Sequence, residues 1–175
     1  MNKAITLGLL LAFSVVSASA QKTAKWVKYT SVEGRYSVSM PEVPKLSQQE
    51  SATAEGVKFP QYMATAGLGN GVFMVGYFDN LPDTRYVLDE AVSKMAEGLN
   101  AKVISQSSIS LTGSPGRAAK LSMESDGILF INRARLYSVG TRNYFLQYIV
   151  PKADDGARVE TMAAKFFNSF AVKDR

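Results

Sequence analysis

Short turn signals divide this chain into consecutive extended segments, and this pattern limits its fold more than any other feature. Gly69-Asn70-Gly71, Ser125-Asp126-Gly127 and Gly140-Thr141 combine residues that tolerate the backbone conformations of tight hairpins. Each signal separates two segments rich in β-branched and aromatic residues. Strands joined by tight hairpins pair antiparallel. The chain is therefore predicted to fold around an antiparallel sheet.

The extended segments either alternate polar and apolar residues or are apolar throughout. Val72–Phe78 is almost continuously apolar, as expected of a central buried strand. Pro60 lies inside the segment Val57–Ala66, and because proline cannot donate to a ladder, an edge position or a bulge is predicted there. The other strands are predicted at residues 25–29, 35–40, 45–54, 103–111, 119–124, 128–139 and 142–150.

Two segments have helical periodicity instead. The first is predicted to be capped by Asp83 or Thr84, and its apolar face comprises Leu88, Ala91, Val92, Met95 and Leu99. The second is predicted to be capped by Asp154 or Asp155, and its apolar stripe comprises Val159, Met162, Ala163, Phe166, Phe167 and Phe170. This stripe is interpreted as docking on the sheet rather than on a partner. Strands, a helix, more strands and a helix predict an α+β fold in which helices flank the sheet.

The stretch LTGSPGRAAKL, Leu111–Leu121, could be a phosphate-binding loop or a bend in the sheet. Pro115 and Gly116 suit the second and third positions of a type II turn. A phosphate loop would open a helix and end in Lys followed by Ser or Thr, whereas here alternation resumes at Ala119. We therefore predict a hairpin turn at Ser114–Arg117.

The first twenty residues have the pattern of a secretory signal. A positive charge at Lys3 precedes the mostly apolar run Ile5–Val16, and Ala18-Ser19-Ala20 offers the small residues of a cleavage site. The run is short for the roughly 20 residues of a membrane span, so an anchor is less favoured. Residues 1–20 are predicted to be a signal peptide and residues 21–175 a single α+β domain. The expected location is the periplasm or the exterior, with no transmembrane span after cleavage.

The sequence contains no histidine and no cysteine, which limits the chemistry available to it. Ser-His-Asp and Cys-His catalysis are excluded, and zinc, haem and iron–sulfur sites lack their usual ligands. We predict no catalytic residue, no metal site and no cofactor, and a carboxylate-based enzyme is the least favoured hypothesis. The formal charge falls from +5 to +4 on removal of Lys3. Without a dense basic cluster, this charge does not predict nucleic-acid binding.

Arginine and tyrosine side chains of the later strands form a candidate binding surface. Arg133, Arg135 and Tyr137 alternate along one strand and are expected to share a face. Arg142 begins the next strand, and Arg117 is expected to approach from the hairpin. Guanidinium groups can hold carboxylate or phosphate at two points, and tyrosine adds a flat surface. The alternative is a solvated sheet face on which arginine stems cover tyrosine.

Several stretches resemble the PsbP/Mog1-like superfamily. They are the beginning from Trp26 through GRYSVSMPEVP, the hairpin ISLTGSPGRAAKL, the strands RARLYSVG and NYFLQYIV, and the ending KFFNSFAV. The resemblance spans about Trp26 to Val172, and it implies an α-β-α sandwich that acts mainly as an adaptor. The lipidation cysteine and the metal-binding histidine of some members have no counterpart here.

The resemblance implies an exported, non-enzymatic binding or assembly protein of the bacterial cell envelope. Its expected partner is another cell-envelope protein. The alternative is a weak binder of anionic lipid head groups or acidic polysaccharide, which would use the Arg133/Arg135 face.

Overall fold

The computed structural model describes residues 25–53, 56–81 and 86–173, together with the backbone of Ile5–Thr6. Apart from that pair, the predicted signal peptide lies outside the described residues, as do the predicted caps Asp83 and Thr84. The described strands are β1 (Ile5–Thr6), β2 (Val27–Ser31), β3 (Tyr36–Met40), β4 (Lys45–Thr53), β5 (Lys58–Leu68), β6 (Gly71–Asp79), β7 (Lys102–Leu111), β8 (Ser114–Ser125), β9 (Ile128–Val139), β10 (Arg142–Pro151) and β11 (Ala171–Val172). The helices are α1 (Leu88–Gly98) and α2 (Ala157–Asn168), the latter preceded by a 3-10 turn at Lys152–Asp154.

The strands form a large antiparallel sheet and a small one. The large sheet has the strand order β1-β4-β5-β6-β10-β9-β8-β7, and the small sheet has the order β11-β3-β2. Every recorded pairing is antiparallel, and most join strands that follow one another along the chain, whereas β6 and β10 meet only after α1 and three further strands. The predicted antiparallel α+β fold is confirmed, and the apolar strand β6 lies inside the sheet between β5 and β10.

Each face of the large sheet has its own apolar core. Helix α1 packs on one face over a cluster that includes Phe59, Val92, Met95, Leu121 and Leu136. Helix α2 and the small sheet cover the other face, which we call the α2 face, over a cluster that includes Tyr36, Phe73, Leu146, Tyr148 and Phe166. The predicted apolar stripe of the second helix therefore docks on the sheet.

Pro60 occupies a position where one side of its strand is unpaired. Strand β5 is internal, between β4 and β6, so the strand as a whole is not an edge. Pro60 lies opposite Glu50 of β4, but the pairing of β5 with β6 begins only at Tyr62. Pro60 therefore removes no hydrogen bond to β6. An edge strand tolerates proline for the same reason, because one of its sides has no partner strand.

The hairpin in LTGSPGRAAKL turns earlier than the sequence predicts. Leu111 pairs with Ser114, so the loop consists of Thr112 and Gly113, whose φ angles are +45° and +86°. Two positive φ angles in a two-residue loop match a type I′ turn, whose twist suits antiparallel strands better than a type II turn. The prediction of a turn at Ser114–Arg117 is wrong, and those residues begin strand β8.

The helix starts also differ from the predicted caps. Helix α2 begins after Gly156, and no side chain caps it. Asp154 lies in the preceding 3-10 turn, and Asp155 pairs with basic side chains instead. Helix α1 begins after Val87, and no side chain of a described residue caps it. Asp155 thus forms ion pairs on the α2 face, whereas the sequence predicted that it would cap the helix.

Candidate functional site

Strand β9 places Arg133, Arg135 and Tyr137 on the α2 face, where helix α2 crosses them. Tyr137 is only 2% exposed and stacks on Phe170 at a centroid distance of 5.9 Å. Arg133 is 7% exposed, and the guanidinium of Arg135 lies 5.0 Å from the centre of the Phe167 ring. The three side chains share a face, but that face is largely covered by the helix rather than open to solvent.

Arg133 is the centre of a partly buried charge cluster. Its Nη2 donates to Asp155 and to Glu160, and Lys120 Nζ lies 3.0 Å from the second oxygen of Asp155. Burial opposes ionisation of Asp155, but the hydrogen bonds from Arg133 and Lys120 outweigh it and lower the pKa of this carboxyl group. Two cations and two carboxylates leave the cluster formally neutral. Among the described residues, Nη1 of Arg133 has no hydrogen-bond partner.

Arg135 is held by neutral groups instead. Its Nη1 donates to Asn168 Oδ1 at 3.1 Å, and its guanidinium lies over the Phe167 ring. Within the described part of the chain, no carboxylate forms an ion pair with it. Arg135 is therefore a positioned cation whose charge is not compensated by a described neighbour.

The other two predicted residues lie elsewhere. Arg117 points to the opposite face of the sheet, where it donates to Ser108 Oγ at 3.0 Å and pairs with Asp89 of α1. Arg142 lies at the start of β10, where Nε and Nη2 bind the two carboxylate oxygens of Asp79 at 2.6 and 2.7 Å. These hydrogen bonds lower the pKa of Asp79. The five residues proposed from the sequence thus do not form one site.

Arg142 also joins the large sheet to the turn that precedes β3. Its Nη1 donates to the carbonyl oxygen of Glu33, and its guanidinium lies 4.5 Å from the centre of the Tyr77 ring. Tyr144 completes the link through a hydrogen bond of 2.9 Å to the carbonyl oxygen of Gly34. Arg142 therefore has a structural role, because its Nε, Nη1 and Nη2 atoms already donate hydrogen bonds within the protein.

An open groove runs along α2 where the outer strands extend beyond the helix. Its volume is about 380 Å³. Two rows of residues cross its floor from β7 through β8 to β9: Ser105, Lys120, Arg133 and Ser107, Ala118, Arg135. Helix α2 forms its wall with Glu160, Ala163, Ala164 and Phe167. We call this region, defined by these ten residues, the edge groove.

The composition of the edge groove would suit an anionic group. The serine and alanine side chains leave room beside the helix, and Arg135 supplies a positioned guanidinium at the inner end. A guanidinium of this kind suits a carboxylate or phosphate group, which it can bind at two points. Across the described residues, no group of three or more potential metal ligands occurs.

Part of this site was not recognised from the sequence. Ser105, Ser107 and Lys120 face the same side as Arg133 and Arg135, because alternation along β7, β8 and β9 is in register. The alternation along β8 does predict that Lys120 and Leu121 lie on opposite faces of the sheet. The pairing of three strands, which brings these residues together, is not contained in any single segment.

The fold matches known structures at low sequence identity. The cyanobacterial PsbP protein CyanoP from Synechocystis sp. PCC 6803 superimposes with a TM-score of 0.61 and 10% identity, over 90% of this chain and 98% of that one. The protein of unknown function PA94 from Pseudomonas aeruginosa gives a TM-score of 0.45 at 10% identity, over 80% of this chain and 94% of that one. LpqN of Mycobacterium tuberculosis, described as involved in cell envelope biogenesis, gives 0.45 at 8% identity, over 77% and 87%.

Sequence comparison adds nothing to this structural likeness. No protein-family model matches the chain, and no curated protein matches it significantly. Neither described helix is long and apolar enough to cross a membrane. The fold that the resemblance implies is therefore confirmed, since it is similar to the fold of cyanobacterial PsbP.

Proposed function

We propose that the protein is an exported, non-enzymatic binding protein of the bacterial cell envelope. In this proposal, the edge groove binds an acidic segment of another envelope protein, and Arg135 receives its carboxylate. The observation that carries the proposal is the state of Arg135: a guanidinium fixed by Asn168 and Phe167, lying in an open groove, with no described carboxylate partner. Such a group has already lost part of its conformational freedom, so less is lost when a ligand binds.

The state of the carboxyl groups supports a binding role rather than a catalytic one. A general acid needs a raised pKa, and the two described carboxyl groups with shifted values, Asp79 and Asp155, have lowered ones. Both are held as ions by basic neighbours, so neither is available as a proton donor near neutral pH. The sequence pattern of the first twenty residues supports export.

A protein partner is favoured over a flat anionic surface by the shape of the site. Arg133 and Tyr137, which the sequence suggested as an exposed lipid- or polysaccharide-binding face, are covered by α2. Arg135 instead lies in a groove between the helix and the outer strands. A narrow peptide reaches such a position more readily than a bilayer surface does.

The proposal is tested by photo-crosslinking in cells that produce the full-length protein. A photoreactive amino acid replaces Ala164 on the groove wall, and a matched control replaces Val32, which is 84% exposed and lies beyond β2. We expect one protein to be cross-linked from position 164 and not from position 32.

Charge variants complete this experiment. Arg135→Gln should reduce the cross-linked product about tenfold, as expected for a charge-assisted hydrogen bond. Arg158→Gln removes the same charge from an exposed position of α2 outside the groove and should leave the product unchanged. Equal products from positions 164 and 32, or a product unaffected by Arg135→Gln, would contradict the proposal. Cross-linking to lipid or polysaccharide alone would reassign the groove to an anionic ligand that is not a protein.

A further inference from the structure

Among the described strands, β7 is an edge of the large sheet, and it lacks the usual protection against pairing. It ends the strand order beside β8, and from Val103 to Leu111 it contains no charged residue and no proline. Edge strands in natural proteins commonly carry lysines, prolines or bulges that prevent further pairing. Here Lys102 and an irregularity between Val103 and Ser105 protect only one end. The stretch Ser105–Leu111 remains regular and uncharged.

The type I′ hairpin determines which backbone groups of β7 face outward. In a two-residue hairpin the flanking pair, here Leu111 and Ser114, exchanges both hydrogen bonds. Alternation then directs the N–H and C=O groups of Gln106, Ser108 and Ser110 away from β8. Pro115 agrees with this assignment, since it lies opposite Ser110 in a pair that needs no amide.

The open backbone groups lie next to the edge groove. The side chains of Ser105 and Ser107 point into the groove, and beyond Ser107 the row continues through Ala118 to Arg135. A strand added to β7 would lie about 14 Å from β9, because neighbouring strands are about 4.8 Å apart. Small side chains at Ser107 and Ala118 leave a path along which a long acidic side chain of the added strand can extend toward the guanidinium of Arg135, which is held beside Phe167. Glutamate suits this span better than aspartate.

We propose that β7 accepts an extended acidic segment of the partner as an additional strand of the large sheet. Backbone hydrogen bonds to Gln106, Ser108 and Ser110 would supply affinity, and a glutamate on the groove side would contact Arg135. This inference rests on the proposed function for the glutamate contact, whereas the open edge is an independent observation. The occupant is a different protein, because β7 itself contains no acidic residue and a second copy paired through this strand would bring no carboxylate to Arg135.

Proline at Ser108 separates strand addition from the rest of the site. The amide of Ser108 faces outward, so Ser108→Pro removes an edge donor without removing a ladder bond to β8. Ser108→Thr retains the amide and a hydroxyl for Arg117, and therefore serves as the matched control. Thermal unfolding of both variants establishes that the fold is retained.

The probe is a random twelve-residue peptide library displayed on phage and selected on the full-length protein. We expect enriched peptides to carry glutamate among β-branched or aromatic residues. For the synthetic peptides, Ser108→Pro and Arg135→Gln should each weaken binding about tenfold, and Ser108→Thr by less than about twofold. In the unmodified protein, the peptide should slow amide exchange at Gln106, Ser108 and Ser110. This readout remains decisive if Ser108→Pro fails to fold.

The outcomes distinguish this inference from the proposed function. Peptides sensitive to Arg135→Gln but not to Ser108→Pro, with unchanged exchange along β7, would leave groove binding intact and overturn strand addition. Peptides sensitive only to Ser108→Pro would establish strand addition and overturn the acidic contact. An absence of enriched peptides would overturn both. A dimer of the protein alone that Ser108→Pro dissociates would assign the edge to a second copy and overturn the choice of partner.

Discussion

The inner and outer parts of the α2 face differ in side-chain size, and this difference creates the edge groove. The inner part, on β6 and β10, is filled by rings; Phe73 and Tyr148 stack at 3.9 Å, and Phe166 of α2 meets Phe73 at 5.3 Å. The outer part, on β7 and β8, presents Ser107 and Ala118 instead. Large rings hold the helix over the inner strands, and small side chains leave the outer strands uncovered. A helix-covered core and the edge groove thus occupy one continuous sheet face.

The largest effect is expected from removing a ring in the inner part. Phe166 is fully buried, so Phe166→Ala should lower the free energy of unfolding by about 3–5 kcal/mol through lost burial and a residual cavity. Ser107→Ala in the outer part should change it by less than about 0.5 kcal/mol. Chemical denaturation measures both. Similar losses for the two variants would contradict the division of the face into two parts.

A second comparison uses two arginines of the same strand. Arg133→Met should cost about 2–3 kcal/mol, because it leaves Asp155 partly buried and short of a cation. Arg135→Met should cost less than about 1 kcal/mol, since its polar contact is a single amide oxygen and its stem retains contact with Phe167. Equal stability losses would show that Arg135 is structural, and would weaken its assignment to binding.

Gly116 tests how closely the outer strand approaches its neighbour. A Cβ at this position would lie 2.6 Å from the Tyr137 ring and 2.8 Å from the carbonyl oxygen of Leu136. Gly116→Ala should therefore destabilise the protein by about 1–3 kcal/mol. Gly67→Ala in strand β5 is the control, because a Cβ there approaches no atom closer than 3.9 Å. A neutral Gly116→Ala in thermal unfolding would mean that β8 shifts freely relative to β9.

The smallest expected effect is a pH dependence from Asp155. The lowered pKa of this carboxyl group means that its ionised form stabilises the folded state. This stabilisation is present above about pH 4 and is lost as the pH falls further. The stability difference between the unmodified protein and Asp155→Asn should narrow over that acidic range. Asp154→Asn removes the same charge from the exposed turn and is the control. If both variants showed the same dependence of unfolding free energy on pH, the ion pairs of Asp155 would not stabilise the fold.

Much of the fold follows from local patterns. Hairpin signals such as Ser125-Asp126-Gly127 lie between paired strands, and the stripe ending at Phe170 docks on the sheet. The hairpin turns at Thr112-Gly113 and not at the predicted Ser114–Arg117. Pro115-Gly116 fits a type II turn locally, but the twist of the paired strands favours a type I′ turn. Asp155 suits a helix cap in sequence, but nearby Arg133 and Lys120 attract its carboxylate more strongly.

The sequence alone determined the antiparallel strands, the amphipathic helices and the absence of histidine and thiol chemistry, because these depend on residue type and short-range periodicity. Only the tertiary structure decided which arginines are available. Arg117 and Arg142 pair with Asp89 and Asp79, far away in sequence, and α2 covers Tyr137 while leaving Arg135 beside a groove. Strand register and helix position set these contacts, and both arise from packing between segments that are distant along the chain.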